Sequence, residues 1–194
     1  MRGGQLLSSL VQSQLGTHRV KTVALDGGHS TLHADEATLD TAAAFPSGAH
    51  IAEVEIDPDT GHVKIVNYIA ADDCGNVINH AIVEGQLHGG LMQGIGQVLG
   101  EHIAYDPDTG QLLSGTFMDY FMPRAHHLTP IKLIDCGVPS PANPLGAKGA
   151  GEAGTAGAPG AVMNAINDAL APLNARVTAM PFTPERILKA LGKV

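Results

Sequence analysis

The run from Gly137 to Leu170, GVPSPANPLGAKGAGEAGTAGAPGAVMNAINDAL, constrains the fold more than any other part of the chain. Pro139, Pro141 and Pro144 forbid a regular element at its start. Gly146, Gly149, Gly151, Gly154 and Gly157 follow, and the only charged side chains among them are Lys148 and Glu152. After Pro159 the run AVMNAINDAL has helical spacing, with Val162, Ile166 and Ala169 on one side. A stiff approach, a glycine loop and a helix are expected in that order.

Glycines let a ligand come against the main chain, and a helix start offers free N–H groups to anions. The side chain at the centre of this loop is a carboxylate, Glu152. A lone carboxylate among small residues is expected to be partly desolvated, which raises its proton affinity and suits a general base. The competing reading is a surface loop with a solvated glutamate. Gly149, Gly151 and Gly154 also match the G-x-G-x-x-G dinucleotide pattern. That reading is rejected, because the pattern needs a strand directly before it and SPANPLG stands there instead. An acidic side chain inside the turn would also repel a pyrophosphate.

A chain of 194 residues suffices for one domain or two small lobes. With 44% hydrophobic and 15% charged residues it is globular rather than disordered. A formal net charge of -8 speaks against nucleic acid or an anionic membrane surface as partner. The 24 glycines and the scarcity of aromatics imply a small-residue interior of the kind that packs against a cofactor or another subunit. Cys74 and Cys136 leave one disulfide open but build no zinc site. The opening MRGGQLLSSLVQSQLG is too polar for a signal peptide, and no run is long enough to span a bilayer. A cytoplasmic location is the default expectation.

Residues 1–48 form an N-terminal segment left unassigned as a domain. Within it, LLSSLVQSQL fits a short amphipathic helix, and VKTVAL a strand ended by Asp26-Gly27-Gly28. Pro46-Ser47-Gly48 reads as a turn. Ile51, Val54 and Ile56, then Val63, Ile65 and Val66, flank the turn Asp57-Pro58-Asp59-Thr60-Gly61, which predicts a β-hairpin. The same five letters recur at Asp106–Gly110, predicting a second hairpin. Between them, residues 84–101 carry Leu87, Leu91, Ile95 and Val98 at helical spacing, with a polar stripe of Gln86, Gly90, Gln93 and Gln97. Each interior glycine costs about 1 kcal/mol against alanine. Gly89, Gly90, Gly94 and Gly96 therefore require close approach of another backbone or a ligand. Met118, Phe121 and Met122 precede Pro123, which breaks that element. Arg124 suits a surface position or an anion. His126-His127 is set aside as a metal pair, since adjacent residues rarely bind one ion and no third ligand is suitably spaced. IKLIDCGV reads as a buried strand. Ala171-Pro172 stops the long helix, and Thr183 caps a closing helix with Pro184 in its first turn.

Four segments in this order, DDCGNVINHAIVEGQLHGGLMQGIGQ, FMDYFMPRA, PSPANPLGAKGAGEAGTAGAPGAVMNAINDAL and MPFTPERI, resemble one family. It is the molybdopterin-binding large subunit of the xanthine oxidase family, in its C-terminal part. The similarity is greatest to the aldehyde and carbon monoxide dehydrogenase large-subunit type and runs from about Ala49 to the end. The resemblance implies an α+β fold of β-hairpins with packed helices, and a molybdopterin-binding domain over 49–194. It implies molybdopterin with molybdenum, expected in the cytosine dinucleotide form. It places the catalytic base at Glu152, and cofactor contacts at Gln86, Gln93, Lys148, Gly149, Ala150 and Gly151. No protein ligand to the metal is expected, because the pterin dithiolene holds it.

The implied reaction is oxidation of an aldehyde or N-heterocycle with water as the oxygen source, in which Glu152 takes a proton and the cofactor carries the redox chemistry. Family large subunits are several times longer, so the chain is expected to be a piece working with the remaining large-subunit lobes, an iron–sulfur subunit and a flavin subunit. Iron–sulfur clusters and FAD are expected only on those partner chains. The alternative is a non-catalytic assembly or remnant module that keeps the fold without the cofactor. Substrate, electron acceptor and oligomeric state are not readable from the sequence.

Overall fold

The alternating residues on either side of Asp57–Gly61 form two long antiparallel strands. Two earlier strands, β1 (His18–Leu25) and β2 (Leu32–Leu39), precede β3 (Ser47–Ile56) and β4 (Val63–Asp73). The computed structural model describes residues 18–25, 32–39, 43–127 and 130–194. Ser47 pairs with Asp73 at one end of the β3–β4 ladder and Ile56 with Val63 at the other. The register shifts between Glu53 and Val54, which face Asn67 and Ile65, so Val66 is the extra residue of a β-bulge in β4. Before the bulge Ile65 points inward; after it Tyr68, Ala70 and Asp72 do. The turn is the one the sequence predicts. Asp57 Oδ1 accepts from the Asp59 N–H at 2.8 Å, and Gly61 takes φ +71°.

A third strand, β5 (Ile131–Asp135), lies parallel to β4, with Tyr68 opposite Ile131 and Asp72 opposite Asp135, so β4 is central. The sequence reading made β5 a buried strand. It is an edge strand with Ile134 exposed, because among the described residues nothing pairs with its other side. β1 and β2 form a separate two-stranded hairpin, His18 opposite Leu39. The expected VKTVAL strand is part of β1. Its partner β2 has no β-branched residue apart from Thr38 and went unassigned. The expected helix LLSSLVQSQL and the stop at Asp26-Gly27-Gly28 lie outside the described residues.

Two long helices cover one face of the three-stranded sheet. α1 (His80–Leu99) begins one turn earlier than the apolar spacing suggests, capped by Asn79, whose Oδ1 accepts from the Ile82 N–H at 3.2 Å. α2 (Ala153–Leu170) begins before Pro159 rather than after it. Its buried positions are Gly154, Ala158, Val162, Ile166 and Leu170; Ala169, expected inward, is exposed. A short closing helix, α3 (Pro184–Ala190), is capped by Thr183 as expected. Leu91, Ile95 and Val98 of α1 meet Val162, Ile166 and Leu170 of α2, with Tyr68, Phe182 and Ile187 closing the core.

The glycines account for how closely the helices pack. A Cβ on Gly154 would lie 2.6 Å from Leu91 N and 2.7 Å from Leu87 O, and one on Gly94 2.8 Å from Ala158 Cβ. The close approach expected from the sequence is therefore helix against helix at Gly90 and Gly94, and loop against helix at Gly96, where Pro123 intrudes. Gly89 faces open space.

Two further expectations are corrected. Ser47 and Gly48 belong to β3 rather than to a turn. The second Asp-Pro-Asp-Thr-Gly makes the same turn, with Asp106 Oδ1 accepting from Thr109 N at 2.8 Å, but its flanks join only at one bridge, Tyr105 to Leu112. Ile103 and Leu113 remain exposed there, so no sheet face rewards further pairing.

Candidate active site

The loop that the sequence singled out is tied to the end of β4. Asp73 gathers three segments on one carboxylate. Its Oδ1 accepts from the N–H of Gly75 at 3.0 Å and of Val138 at 2.9 Å, and its Oδ2 accepts from Lys148 Nζ at 2.5 Å. The Lys148 ammonium, followed by the two backbone donors, holds the Asp73 carboxyl down at about 2. The main chain continues the attachment. Lys148 N donates to Cys74 O at 2.9 Å, Asn76 N to Gly146 O at 2.9 Å, and Asn76 Nδ2 to Leu145 O at 2.9 Å. Gly75 takes φ +66°, and a side chain there would come within 2.3 Å of Gly146 O.

Residues 73–76 lead into α1, and residues 146–148 lead into α2. The attachment therefore brings the two helix starts together. Gln86, in the second turn of α1, faces Gly151: a Cβ on that glycine would lie 3.3 Å from Gln86 Oε1. Gln86 is exposed, and its amide makes no hydrogen bond within the described residues. Gly149 has open space beside it, with Pro46 at 3.9 Å from its built Cβ, and Ala150 is half-buried. Gln93 lies two turns further along α1, where its Oε1 accepts from Thr155 Oγ1 at 3.4 Å, so it sits beside the first turn of α2 rather than beside Gly151.

Glu152 occupies the N-cap position of α2, but its side chain makes no capping bond. Its carboxylate has neither a hydrogen bond nor an ion pair within the described residues. It lines a cleft of about 380 Å³ together with Pro46, Gly48, His50, Asp72, Ala156 and Gly157. The sequence reading expected partial desolvation of this side chain. Glu152 is instead exposed, because the residues around it are too small to roof it.

Across the cleft is a buried polar chain that the sequence reading missed. His50 Nδ1 lies 3.0 Å from Tyr68 Oη, and Nε2 lies 3.1 Å from Asp72 Oδ1. Burial, and then the Asp72 charge, push the Tyr68 phenol well above its ordinary range, so it stays protonated and donates. Two glycines make room for the chain. A Cβ on Gly157 would lie 2.3 Å from His50 Nδ1, and one on Gly48 2.4 Å from Asp72 Oδ1. The signal was the inward parity of His50 on β3, which an isolated strand pattern does not interpret.

A larger groove of about 560 Å³, lined by Met92, Ile95, Leu99, Phe121, Pro123 and Phe182 among others, lies on the other side of α1. His126 and His127 border it with ring centroids 4.1 Å apart. Cys74 and Cys136 are both free thiols.

An amide that can both donate and accept stands free at Gln86, main chain without side chains runs past it at Gly149–Gly151, and a carboxylate follows. The profile of the molybdopterin cofactor-binding domain matches residues 9–129, which takes in the segment before Ala49 that the motifs did not cover. The large subunit of nicotine 6-hydroxylase from Paenarthrobacter nicotinovorans is 43% identical over 146 residues, 75% of this chain and 18% of that protein. The carbon monoxide dehydrogenase large chain of Afipia carboxidovorans is 44% identical over 146 residues, with the same coverage. The crystal structure of quinoline 2-oxidoreductase from Pseudomonas putida 86 superposes with a TM-score of 0.77 at 42% identity, covering 88% of this chain and 22% of that one. The chain thus spans about a fifth of the length of the relatives it matches. By profile, sequence and superposition alike, it belongs to the molybdopterin-binding large subunits of the xanthine oxidase family.

Proposed function

We propose that this chain supplies one wall of the cofactor site of a molybdenum hydroxylase, with Glu152 as the general base. The observation that carries the reading is the convergence of two polar groups from separate helices: Gly151, directly before Glu152, abuts Gln86, and neither the Gln86 nor the Glu152 side chain is engaged elsewhere among the described residues. Bound molybdopterin supplies the redox chemistry and the activation of water. Gln86 and the Gly149–Ala150–Gly151 main chain would hold the pterin by hydrogen bonds, with Gln93 further along α1, and Glu152 would act as the base that takes a proton from the oxygen donor. A base in this position is worth about 10²–10⁴-fold in rate.

The substrate class is aldehydes or N-heterocycles, and the cofactor is the cytosine dinucleotide form. The pocket over Glu152 is completed by the remaining large-subunit lobes, which provide the desolvation this chain lacks. Iron–sulfur and flavin chains pass the electrons on. The working unit here is residues 49–194, in the cytoplasm. Among the described residues no helix is long and apolar enough to cross a membrane.

Metal analysis of the chain co-expressed with the missing lobes in molybdate-supplied cells tests this. Stoichiometric molybdenum that persists in Glu152→Gln, with turnover lost, supports the reading. Full turnover in Glu152→Gln ends it. Absence of molybdenum and pterin under every pairing favours a non-catalytic module, the reading to which the exposure of Glu152 lends weight.

A further inference from the structure

We propose that Lys148 and Asp73 are positioning residues for Glu152, and that the Lys148 ammonium belongs to Asp73 rather than to the cofactor. This rests on the reading of Glu152 as a base. Lys148 is the one cation in the loop, and a cation beside a pyrophosphate-bearing cofactor would ordinarily be read as its ligand. The geometry assigns it elsewhere. Nζ lies 2.5 Å from Asp73 Oδ2, and the two side chains are 14% and 12% exposed.

Asp73 is fixed before the lysine arrives. It ends β4, paired with Ser47, and its Oδ1 already accepts from Gly75 and Val138. The lysine is held at both ends, by its ammonium on Asp73 and by its own N–H on Cys74 O at 2.9 Å. Three residues separate it from Glu152: Gly149, Ala150 and Gly151. Two of these lack a Cβ, and no hydrogen bond within the described residues fixes any of them. Lys148 is thus the last anchored residue before the base, and the first turn of α2 is the next fixed point. Without the ion pair, Glu152 would be held from the helix side only.

Amide hydrogen exchange on the chain, with molybdenum content as a separate readout, tests the assignment. Lys148→Met is expected to speed exchange of the Ala147 and Lys148 amides at least tenfold, while Ile95 and Ile166 in the helices stay within twofold. Lys148→Arg should restore protection. So should Lys148→Cys after aminoethylation, which rebuilds an ammonium, in a Cys136→Ser background; methylthiolation of the same variant should not. Asp73→Asn should loosen the same amides. In protein that carries molybdenum, Lys148→Met should keep its content within twofold of wild type.

Unchanged loop exchange in Lys148→Met overturns the proposal, as does a tenfold loss of molybdenum with loop protection intact. If the wild-type chain never acquires molybdenum, the functional reading fails, and the exchange experiment still decides whether the ion pair anchors the loop.

Discussion

Gly154→Ala places one methyl group between the two long helices. The added carbon would lie 2.6 Å from Leu91 N, 2.7 Å from Leu87 O and 3.0 Å from Gly90 C. Those separations fall about 1 Å short of the ~3.5–4.0 Å at which such atoms attract. All three obstacles are main chain of α1, so no rotamer change removes them and the helices must part. Overpacking of a tight core costs about 1–3 kcal/mol, and a contact that only backbone can relieve belongs at the upper end. Parting the helices also stretches the bond from Thr155 Oγ1 to Gly90 O, now 3.0 Å. Gly160 is the control. It lies in the same helix with nothing within 4 Å of its built Cβ, so Gly160→Ala should stabilise by about 0.5–1 kcal/mol. The two variants should differ by about 3 kcal/mol, which at a urea dependence of ~1–3 kcal/mol per molar separates their midpoints by about 1 M or more. Urea unfolding followed by far-ultraviolet circular dichroism measures this. A Gly154→Ala midpoint at or above wild type, with the slope unchanged, would refute helix contact as the reason for that glycine.

Three further outcomes are expected. Asp73 has its folded value lowered from 3.8 to about 2, so its contribution to stability is present above pH 3.8 and is lost as the pH falls through 2; thermal unfolding between pH 5 and 2 should show a decline that is shallower in Lys148→Met. Asn167→Ala should destabilise by about 1–3 kcal/mol in urea unfolding, since Asn167 satisfies both the N–H and the C=O of Val177 at 2.9 and 3.0 Å. An aromatic disulfide reagent should titrate one thiol rapidly in the native protein: Cys136 is exposed, whereas Cys74 is buried and its thiol is pushed up by desolvation and then by Asp72.

The elements most legible in the sequence were those whose residues act locally. Asp57–Gly61 forms its turn from its own side chain, and Thr183 caps α3 without help from the rest of the fold. The glycines of α1 announced a close neighbour, but only the crossing with α2 shows which neighbour each one meets. The start of α2 was misplaced because Pro159 suggests a boundary; in the structure it lies in the second turn, where the missing N–H leaves Thr155 O without its helical donor. Glu152 and Gln86 could be named from motifs. That Lys148 turns to Asp73, 75 positions away, follows from strand pairing that no local pattern encodes. The His50–Asp72 contact escaped for the same reason, since it needs the β3–β4 register.

The extra residue at Val66 has a reach well beyond the strand that contains it. Because strand side chains alternate, leaving Val66 out of the pairing decides which of the neighbouring carboxylates Asp72 and Asp73 turns under the helices to meet His50 and which turns out to grip the loop. Deleting Val66 would leave both acids where they are, because Ile65 and Asn67 would then face Val54 and Glu53 as consecutive pairs. Pairing Val66 in the ladder instead would exchange the duties of the two acids, sending the loop's anchor into the interior and the histidine's partner to the rim.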